Sequence, residues 1–379
     1  MNPLRKIMIL GAGDIGRRVF DGLANSTAAR HIELVGRDEE TIACAANLTR
    51  FASLQRGYHS TITYAVTDLT DTARTAERIA IFDPDVIFLA ASLQSWWVIT
   101  MLPSHAFERL YAANYGPWLP MHLVPVLHAM RAVRLAGSKA IVVNAAYPDA
   151  VHPALNAIGL SPHIGIGNVA NNVPGIRIAA ADTLGKPPAD IEVRLVAHHY
   201  VSHRLSRKGN AGQASLNLAI LCRGKDVTDD VDVDALLASL PTRYRRTGGL
   251  RGQAMTAASA LSVLEPIADQ RRAVVHAPGP LGMVGGYPVM LDSQGIHLAL
   301  PGGMSAQDAL KTNISGQVQD GIAEIGQDGT VVFEEASMAV LGKELGYDCP
   351  QMSLDDAPAW AAELTKRFAH YANQVNKHG

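Results

Sequence analysis

The stretch at residues 7–20 reads IMILGAGDIGRRVF, an apolar run followed by three glycines and a further set of apolar residues. Its apolar beginning predicts a short strand over Lys6–Leu10. After the glycines, apolar residues recur at helical spacing, which predicts a helix over Asp14–Ala24. A strand that passes through a glycine-rich turn into a helix places the positive end of the helix dipole at that turn. The stretch therefore predicts an α/β fold with an anion site at the turn.

The glycines of this turn follow the pattern GxGxxG. Gly11 permits the tight turn, Gly13 lets backbone N–H groups approach a pyrophosphate, and Gly16 lets the helix pack closely on the strand. Asp14 and Ile15, at the start of the helix, are expected beside the same ligand. The order of strand, glycines, helix and second strand favours a bound dinucleotide. The alternative is a glycine-rich turn that binds no ligand.

The end of the second predicted strand, at 32–35, indicates which dinucleotide binds. An NAD site usually carries an acidic residue here, which hydrogen-bonds the ribose 2′-hydroxyl. This position holds Gly36, followed by Arg37, so there is room for a 2′-phosphate and a guanidinium to bind it. This pattern favours NADP. NAD is the second choice, because Asp38 lies two residues further on and could be the acidic residue, and Arg37 could be a solvated surface charge.

Strand-like and helix-like segments alternate through the first part of the chain, which predicts a doubly wound parallel sheet. Further along, longer strands and an antiparallel meander with a DSQG turn predict an α+β domain. We place the boundary where YPD follows the last parallel strand. The expected division is a dinucleotide-binding Rossmann domain at 1–147 and an α+β domain for catalysis, substrate binding and oligomerisation at 148–379.

The composition argues against several classes of protein. Of 379 residues, 48% are hydrophobic and 18% charged, and the net charge is −2, so neither nucleic acid nor a membrane surface is an expected partner. The three cysteines, Cys44, Cys222 and Cys349, have no metal-type spacing, and we expect no metal site. There is no signal peptide pattern and no apolar run long enough to span a bilayer, so we expect a cytoplasmic protein.

Several motifs together resemble the lactate/malate dehydrogenase superfamily, in order and spacing, from the glycine turn to about Gly303. The resemblance implies an N-terminal Rossmann domain and a C-terminal α+β domain of that family's kind. It places Asn114 in the substrate region and Asn144 beside the cofactor. The motifs are ILGAGDIG, IELVGRDEE, RLYAANYGPWLPMHLVPVL, VVNAAYPDAV, IGIGNVANNVPGIRIAAADTLGKPPADIEVRLVAHHYVSH and EPIADQRRAVVHAPGPLGMVGGYPVMLDSQGIHLALPGG.

The resemblance implies that a histidine after a strand of the second domain is the general acid/base. AHHYVSH places His199 there, next to His198 and His203. A neutral imidazole near pH 7 suits proton transfer to a carbonyl oxygen during hydride transfer. His198 is the second choice. The alternative is that members of this trio are ordinary, partly buried histidines.

The family orients its histidine with an aspartate on the preceding helix. Here Asn172, or its neighbour Asn171, occupies that place. An amide oxygen can accept the ring N–H, but it cannot stabilise an imidazolium as a carboxylate does; in serine proteases the analogous change costs about 10⁴-fold in turnover. The asparagine therefore indicates altered chemistry or a different acid/base. Alternatively, both asparagines cap the helix that begins near Val173.

The residues that bind substrate in the family are also altered. Gly175 stands where an arginine would hold the substrate carboxylate, and Arg177 is the nearest substitute. The mobile loop has no arginine before Arg109 and carries Trp96 and Trp97 near its start. Two tryptophans over a cofactor cleft could form an aromatic lid; an anchor at a subunit interface is nearly as good an interpretation.

These residues favour an NADP-dependent oxidoreductase that moves a hydride to or from a carbonyl, alcohol or imine larger or more apolar than a simple 2-hydroxy acid. We expect a small-molecule substrate and a homodimer or homotetramer. One alternative is a dinucleotide-binding regulatory or scaffold protein whose catalytic residues have decayed. The other is an extended short-chain dehydrogenase or epimerase, because TDLTD at 67–71 resembles the adenine-binding segment of that family. No tyrosine has the lysine four residues on that such an enzyme needs.

Overall fold

The computed structural model describes residues 5–28 and 31–377. The first half of the chain forms a six-stranded, all-parallel sheet in the order β3-β2-β1-β4-β5-β6. Its central strand pairs on both sides, so that Ile9 lies opposite Leu34 and Phe88. The sheet is doubly wound, as predicted: the chain adds β2 and β3 on one side of β1 and then returns to add β4, β5 and β6 on the other side. The strands are β1 (Lys6–Leu10), β2 (His31–Gly36), β3 (Thr61–Val66), β4 (Val86–Leu89), β5 (Ile141–Asn144) and β6 (Ile164–Gly165).

Helices link the strands of this sheet and cover both of its faces. The first helix buries Val19, Phe20 and Leu23 against the sheet. The second begins after Asp38, whose carboxylate accepts the Thr41 N–H and so caps the helix. The helices are α1 (Asp14–Ala24), α2 (Glu39–Gln55), α3 (Thr72–Phe82), α4 (Ser104–Tyr111), α5 (Leu119–Leu135) and α6 (Pro148–Asn156).

The second half contains three small antiparallel sheets, and it includes the predicted meander, β10-β11-β12, with its turn at Asp292–Gly295. The strands are β7 (Ile191–Val196), β8 (Asn217–Cys222), β9 (Lys225–Asp226), β10 (Ala273–Pro278), β11 (Gly286–Asp292), β12 (Gly295–Leu298), β13 (Ile322–Ile325), β14 (Val331–Phe333) and β15 (Gln351–Met352). The helices are α7 (Val173–Leu184), α8 (His199–Lys208), α9 (Val233–Ala238), α10 (Gly249–Asp269), α11 (Ala306–Gln319), α12 (Glu335–Leu345) and α13 (Ala357–Lys377).

The two halves of the chain pack against each other and contribute side chains to the same apolar core. Strand β6 lies beyond the expected boundary at 147 but pairs with β5 in the parallel sheet. The last helix, α13, packs on α5, and both contribute to one apolar core that includes Trp118 and Phe368. The division at 147 stays a prediction about folding units, although the sheet itself extends to Gly165. None of the helices in the described part of the chain has the length and apolar character needed to cross a membrane.

Candidate active site

A cleft with a cavity of about 270 Å³ runs along the carboxyl ends of the parallel strands. One end is lined by Gly13 and Ile15 of the glycine turn, and the other by His199 and His203 on α8. The segment Trp96–Met101, a 3₁₀ helix after β4, lies beside it. In doubly wound sheets, ligands bind at this edge, where the strand order reverses. The cleft therefore connects a dinucleotide-type turn to a cluster of imidazoles.

At the glycine turn, each of the three glycines is needed for a different reason. Gly11 has a φ of +116°, and a Cβ there would lie 2.8 Å from the Ala90 backbone. A Cβ on Gly16 would lie 1.9 Å from the Gly11 carbonyl oxygen, so only glycine allows this close packing of helix on strand. Nothing lies within 4 Å of a Cβ on Gly13, and Gly13 offers α1 no side-chain cap. The first turn of α1 therefore faces open space that suits a pyrophosphate.

The carboxyl end of β2 lacks an acidic side chain because there is no room for one. A Cβ on Gly36 would lie 2.7 Å from the Ile42 side chain and 2.9 Å from the Ala12 side chain. Arg37 is exposed and has no hydrogen bond or ion pair among the described residues. The Asp38 carboxylate caps α2 and accepts the Thr41 N–H at 2.7 Å. Hydrogen bonding from the Thr41 side chain, and then from its backbone N–H, lowers the pKa of this carboxyl.

At the opposite end, His199 is paired with a carboxylate that the sequence did not single out. Its Nδ1 lies 2.7 Å from Oδ2 of Asp320, which follows α11. The Tyr147 hydroxyl donates to the same carboxylate oxygen at 2.7 Å. The His199 backbone N–H donates to Asp149 at 2.9 Å, and Asn168 also donates to Asp149. The His199–Asp320 pair is therefore buried, and hydrogen bonds from residues on several elements of the fold hold it in place.

Burial alone would lower the pKa of His199, but the Asp320 carboxylate, aided by Asp149, raises it above its ordinary value. Burial opposes ionisation of Asp320 as well, yet His199 and the Tyr147 hydroxyl bring the pKa of that carboxyl down to about 2. With Nδ1 donating to a carboxylate, Nε2 is the nitrogen left for chemistry, and it has no partner among the described residues. His199 can hold and release a proton at the wall of the cleft.

Comparisons with known proteins agree on the architecture. Neither a family model nor a curated protein sequence matches the chain. Among solved structures, Cryptosporidium parvum malate dehydrogenase aligns with a TM-score of 0.56 at 15% identity, over 83% of this chain and 97% of that one. Eimeria maxima lactate dehydrogenase with NADH and oxamate aligns with a TM-score of 0.57 at 13% identity, over 84% and 95%.

A third solved structure, Cryptosporidium parvum lactate dehydrogenase with lactic acid and nicotinamide adenine dinucleotide, gives a TM-score of 0.56 at 16% identity, over 84% and 99% of the two chains. The chain has the lactate/malate dehydrogenase fold. The resemblance stated from the sequence motifs is confirmed at the level of fold, and at these identities the comparison carries the fold alone.

Within the lactate/malate dehydrogenase fold, the expected role of Asn172 is wrong. Its amide nitrogen donates to the Ser202 hydroxyl at 2.9 Å, and its oxygen accepts from Arg246 at 3.2 Å, so it does not touch His199. The capping interpretation fails too, because Asn172 makes no side-chain bond to the start of α7. Asn171 donates to Thr256 and lines the cleft. The imidazole is held from the opposite side, by Asp320.

The other histidines have different environments. His198 is buried outside the cleft lining, and its Nδ1 accepts the Tyr200 N–H at 3.4 Å as the cap of α8. Its position does not support the second-choice catalytic role. His203 lines the cleft next to His199, with ring centroids 5.0 Å apart. Burial, and then the positive charge of His199, lower the pKa of His203 to about 3, so it is neutral at physiological pH.

The structure also places Arg177 away from the cleft, and its expected contact with substrate is wrong. Its guanidinium lies on the exposed side of α7 and donates to the Pro188 carbonyl at 2.6 Å. A Cβ on Gly175 would contact Leu240, on the side of α7 turned away from the cleft. Arg109 is paired with Glu344. None of these residues can hold a substrate near His199.

The two asparagines named from the resemblance also differ from expectation. Asn144 ends β5, and its amide bonds the Ala146 backbone and His152 within the protein, so it has no free group for a cofactor. Asn114 has a φ of +58° and lines a second cavity of about 180 Å³ behind His199 and Asp320, outside the main cleft. Neither is positioned to contact a ligand in the main cleft.

Trp96 and Trp97 both line the main cleft, as expected for residues near a substrate. The Trp96 ring packs edge-on against Tyr115 at 4.5 Å between centroids, and Tyr115 in turn lies 4.5 Å from the His199 ring. An aromatic wall therefore extends from His199 to the 3₁₀ segment. Sequence reasoning missed the site residues Asp320, Tyr147, Arg207 and Arg246. Tyr147 lies in the VVNAAYPDAV motif, which assigns it no role, and the other three lie outside the quoted motifs.

Proposed function

We propose that this chain is a nicotinamide-dinucleotide-dependent oxidoreductase that transfers a hydride to or from a carbonyl, alcohol or imine. One observation carries the proposal: a single cleft joins a GxGxxG turn to His199, whose Nδ1 is held by a buried carboxylate. The fold is that of enzymes solved with NADH or with nicotinamide adenine dinucleotide.

A bound dinucleotide would supply or accept the hydride. The residues of this chain do the rest: the turn at Gly11 to Gly16 and the start of α1 hold the pyrophosphate. His199 gives a proton to the substrate oxygen or nitrogen as reduction proceeds, or takes one during oxidation. Asp320 stabilises the imidazolium form, and Tyr147 fixes the carboxylate by its hydrogen bond. The Trp96 wall keeps water from one side of the site.

NADP is the proposed cofactor, with NAD as second choice. Two features at the end of β2 support NADP over NAD. Gly36 leaves no place for the acidic side chain that would bind a ribose 2′-hydroxyl, and the exposed Arg37 is free to bind a 2′-phosphate. Asp38, the competing acid, is already used as a helix cap.

The proposed substrate is larger or more apolar than a simple 2-hydroxy acid. Gly175 provides no carboxylate clamp, and Trp96 and Trp97 offer apolar surface instead. Burying much of two indoles is worth several kcal/mol at about 25 cal/mol per Å².

Two other features of the chain bear on its function. The intact His199–Asp320 pair argues against a regulatory protein with a decayed site. We also propose a homodimer or homotetramer, because Leu48, Phe51 and Leu54 leave an apolar strip exposed on α2. Sedimentation velocity would measure the assembly, and a monomer at micromolar concentration would contradict it.

The function is tested by adding NADPH or NADH to the purified protein and measuring melting temperature, then screening carbonyl and imine compounds for oxidation of the reduced cofactor. A cofactor present at about 100 times its Kd stabilises the fold by about 2.7 kcal/mol. We expect a clear shift with NADPH, a smaller one with NADH, and substrate-dependent oxidation. Binding without oxidation across a broad panel would favour the regulatory alternative.

A further inference from the structure

Beyond the reacting end of the cleft, two arginines lie without carboxylate partners. Arg207 and Arg246 both line the cavity that contains His199. Arg246 has one side-chain bond, to the Asn172 oxygen at 3.2 Å, and neither guanidinium forms an ion pair among the described residues. The carboxylate that lines this cavity in the described part of the chain is Asp14, at the glycine turn, and it is paired with Arg18. The substrate half of the cleft therefore carries unbalanced positive charge.

The cleft face of α8 fixes the position of this charge. His199, His203 and Arg207 follow one another at four-residue spacing on the side of α8 that lines the cavity. Each such step advances about 6 Å along a helix axis. Arg207 and Arg246 also both contribute to lowering the pKa of His203, so both lie within electrostatic reach of that ring. The charge is thus centred beyond His203, at a distance from the reacting His199.

Aromatic contacts hold Arg207 in this place. Its guanidinium carbon lies 4.7 Å from the Tyr111 ring centroid and 5.4 Å from that of Phe107, both on α4. The Tyr111 ring lies 6.1 Å from the His203 ring. A guanidinium stacked on aromatic faces keeps its N–H edge available, and that edge matches the geometry of a carboxylate or phosphate. Arg207 is therefore preorganised to bind an anion.

Asn172 gives Arg246 a comparable constraint. The amide binds the Ser202 hydroxyl and carbonyl with its nitrogen and Arg246 with its oxygen, so it ties the arginine to the first turn of α8. Arg246 lies in the segment 241–248, directly before α10. Residues 245–248 of this segment are neither helix nor strand. The resemblance implied that Asn172 orients His199. In this structure, Asn172 instead holds the Arg246 guanidinium.

From these contacts we propose that Arg246 and Arg207 determine substrate specificity by binding an anionic group that is separated from the reacting carbon by an apolar spacer. This inference rests on the proposed oxidoreductase function. The ligand class is an elongated carbonyl or alcohol compound: its reacting carbon lies at His199, its spacer along Trp96 and His203, and its carboxylate, phosphate or sulfate at the two guanidiniums. A carboxylate directly attached to the carbonyl is too short to reach Arg207.

The test uses 4-acetylbenzoate, which separates ketone and carboxylate with a rigid ring, against methyl 4-acetylbenzoate and against benzoylformate, whose carboxylate adjoins the ketone. Binding to the protein–NADP⁺ complex, which cannot reduce a ketone, is measured by calorimetry, so turnover is neither needed nor able to disturb the measurement. We expect 4-acetylbenzoate to bind about tenfold or more tightly than either comparison compound, the size of a charge-assisted bidentate contact. In Arg246→Gln and Arg207→Gln this advantage is lost.

Matched controls lie next to each arginine in the chain. Arg245→Gln and Lys208→Gln change neighbouring exposed cations that do not line the cleft, and they are expected to keep wild-type affinities. NADPH affinity in all four variants reports whether the fold and the cofactor site are intact. A loss of NADPH affinity in the Arg207 or Arg246 variant, with the preference for 4-acetylbenzoate unchanged, would assign these residues to the cofactor and overturn the proposal.

Other outcomes would overturn it as well. These are equal binding of the acid and its ester, no binding of either at millimolar concentration, and a preference for benzoylformate that depends on Arg246. Failure of the oxidoreductase function is a separate result: the anion would bind in an arginine-dependent manner, but no compound would support oxidation of NADPH. The two proposals are therefore distinguished by one set of variants.

Discussion

The two ends of the cleft are constructed in different ways. The cofactor end is made from one continuous stretch, Lys6–Leu10 followed by the glycines and α1, and its groups are backbone N–H donors. The opposite end takes side chains from distant segments: His199 and Asp320 are 121 residues apart, and Tyr147 and Asp320 are 173 apart. A local motif can therefore specify where a phosphate binds, whereas the acid–base chemistry depends on the assembled fold.

This difference predicts how each end responds to substitution. Backbone donors survive most changes of the neighbouring side chains, so single replacements near the turn, other than at Gly11 and Gly16, should change cofactor affinity moderately. At the catalytic end each partner leaves another buried polar group unpaired when it is removed, which is costly.

Replacing His199 should have the largest effect. His199→Gln removes the proton donor at the wall of the cleft, and we expect turnover to fall by about 10⁴-fold with NADPH affinity unchanged. The matched control is His276→Gln, because His276 is buried on β10 and does not line the cleft, whereas His198 lies 3.7 Å from Asp320. Steady-state kinetics of both variants checks this. Near-normal turnover in His199→Gln would remove the acid–base role from this residue.

Replacing Asp320 should have the next largest effect. Asp320→Asn keeps the size of the side chain but removes the charge that stabilises the imidazolium, so we expect turnover to fall by up to about 10⁴-fold. The Asn172→Ala variant serves as a comparison, since Asn172 does not touch His199. If Asn172→Ala lowers turnover with neutral substrates as much as Asp320→Asn does, the catalytic partner has been wrongly assigned.

A change in the aromatic wall should affect binding of substrate more than chemistry. Trp96→Ala removes the ring that lines the cleft and packs on Tyr115, and we expect KM to rise by about tenfold, or more for apolar substrates. Trp360→Ala, which alters a tryptophan packed on Tyr347 in the second half of the chain, should leave KM unchanged. Equal effects of the two substitutions on KM would indicate a loss of stability instead.

The smallest effect is expected at the cofactor end. Arg37→Ala should weaken NADPH about tenfold and leave NADH unaffected, because only NADPH carries the 2′-phosphate. Arg74→Ala, an exposed arginine on α3, provides the control. Fluorescence titration with both cofactors measures this. A matching loss for NADH, or none for NADPH, would favour Asp38 as the residue that selects the cofactor.

Much of the fold could be predicted because it depends on local pattern. The predicted helix over Asp14–Ala24 has the observed bounds, and the helix predicted to begin near Val173 does begin at that residue. The third antiparallel sheet, β13-β14-β15, was not predicted, because its strands are only two to four residues long. Strands of that length have too few alternating positions to give a signal.

The catalytic partner could not be predicted for a physical reason. The resemblance to the lactate/malate dehydrogenase superfamily identifies the position from which an aspartate would orient the histidine, and Asn172 occupies that position. The carboxylate that actually reaches His199 comes from the residue after α11, where QVQDGI carries no recognisable pattern. Its partner Tyr147 adopts a φ of +42°, a backbone state that no sequence rule assigns to tyrosine. Only tertiary packing brings these groups together.

If Asp320 sets the charge of His199, an NMR titration of the His199 imidazole in the wild type and in Asp320→Asn shows it. Because the folded-state pKa of His199 is raised, the pair stabilises the fold fully below the unfolded pKa of about 6.5, and this stability is lost as pH rises through the folded value. Because the Asp320 charge is what offsets burial, we expect the wild-type midpoint to lie above about 6.5 and to fall below it in Asp320→Asn, where only Asp149 still opposes the effect of burial. A wild-type midpoint below about 6.5, or the same midpoint in both proteins, would contradict the account.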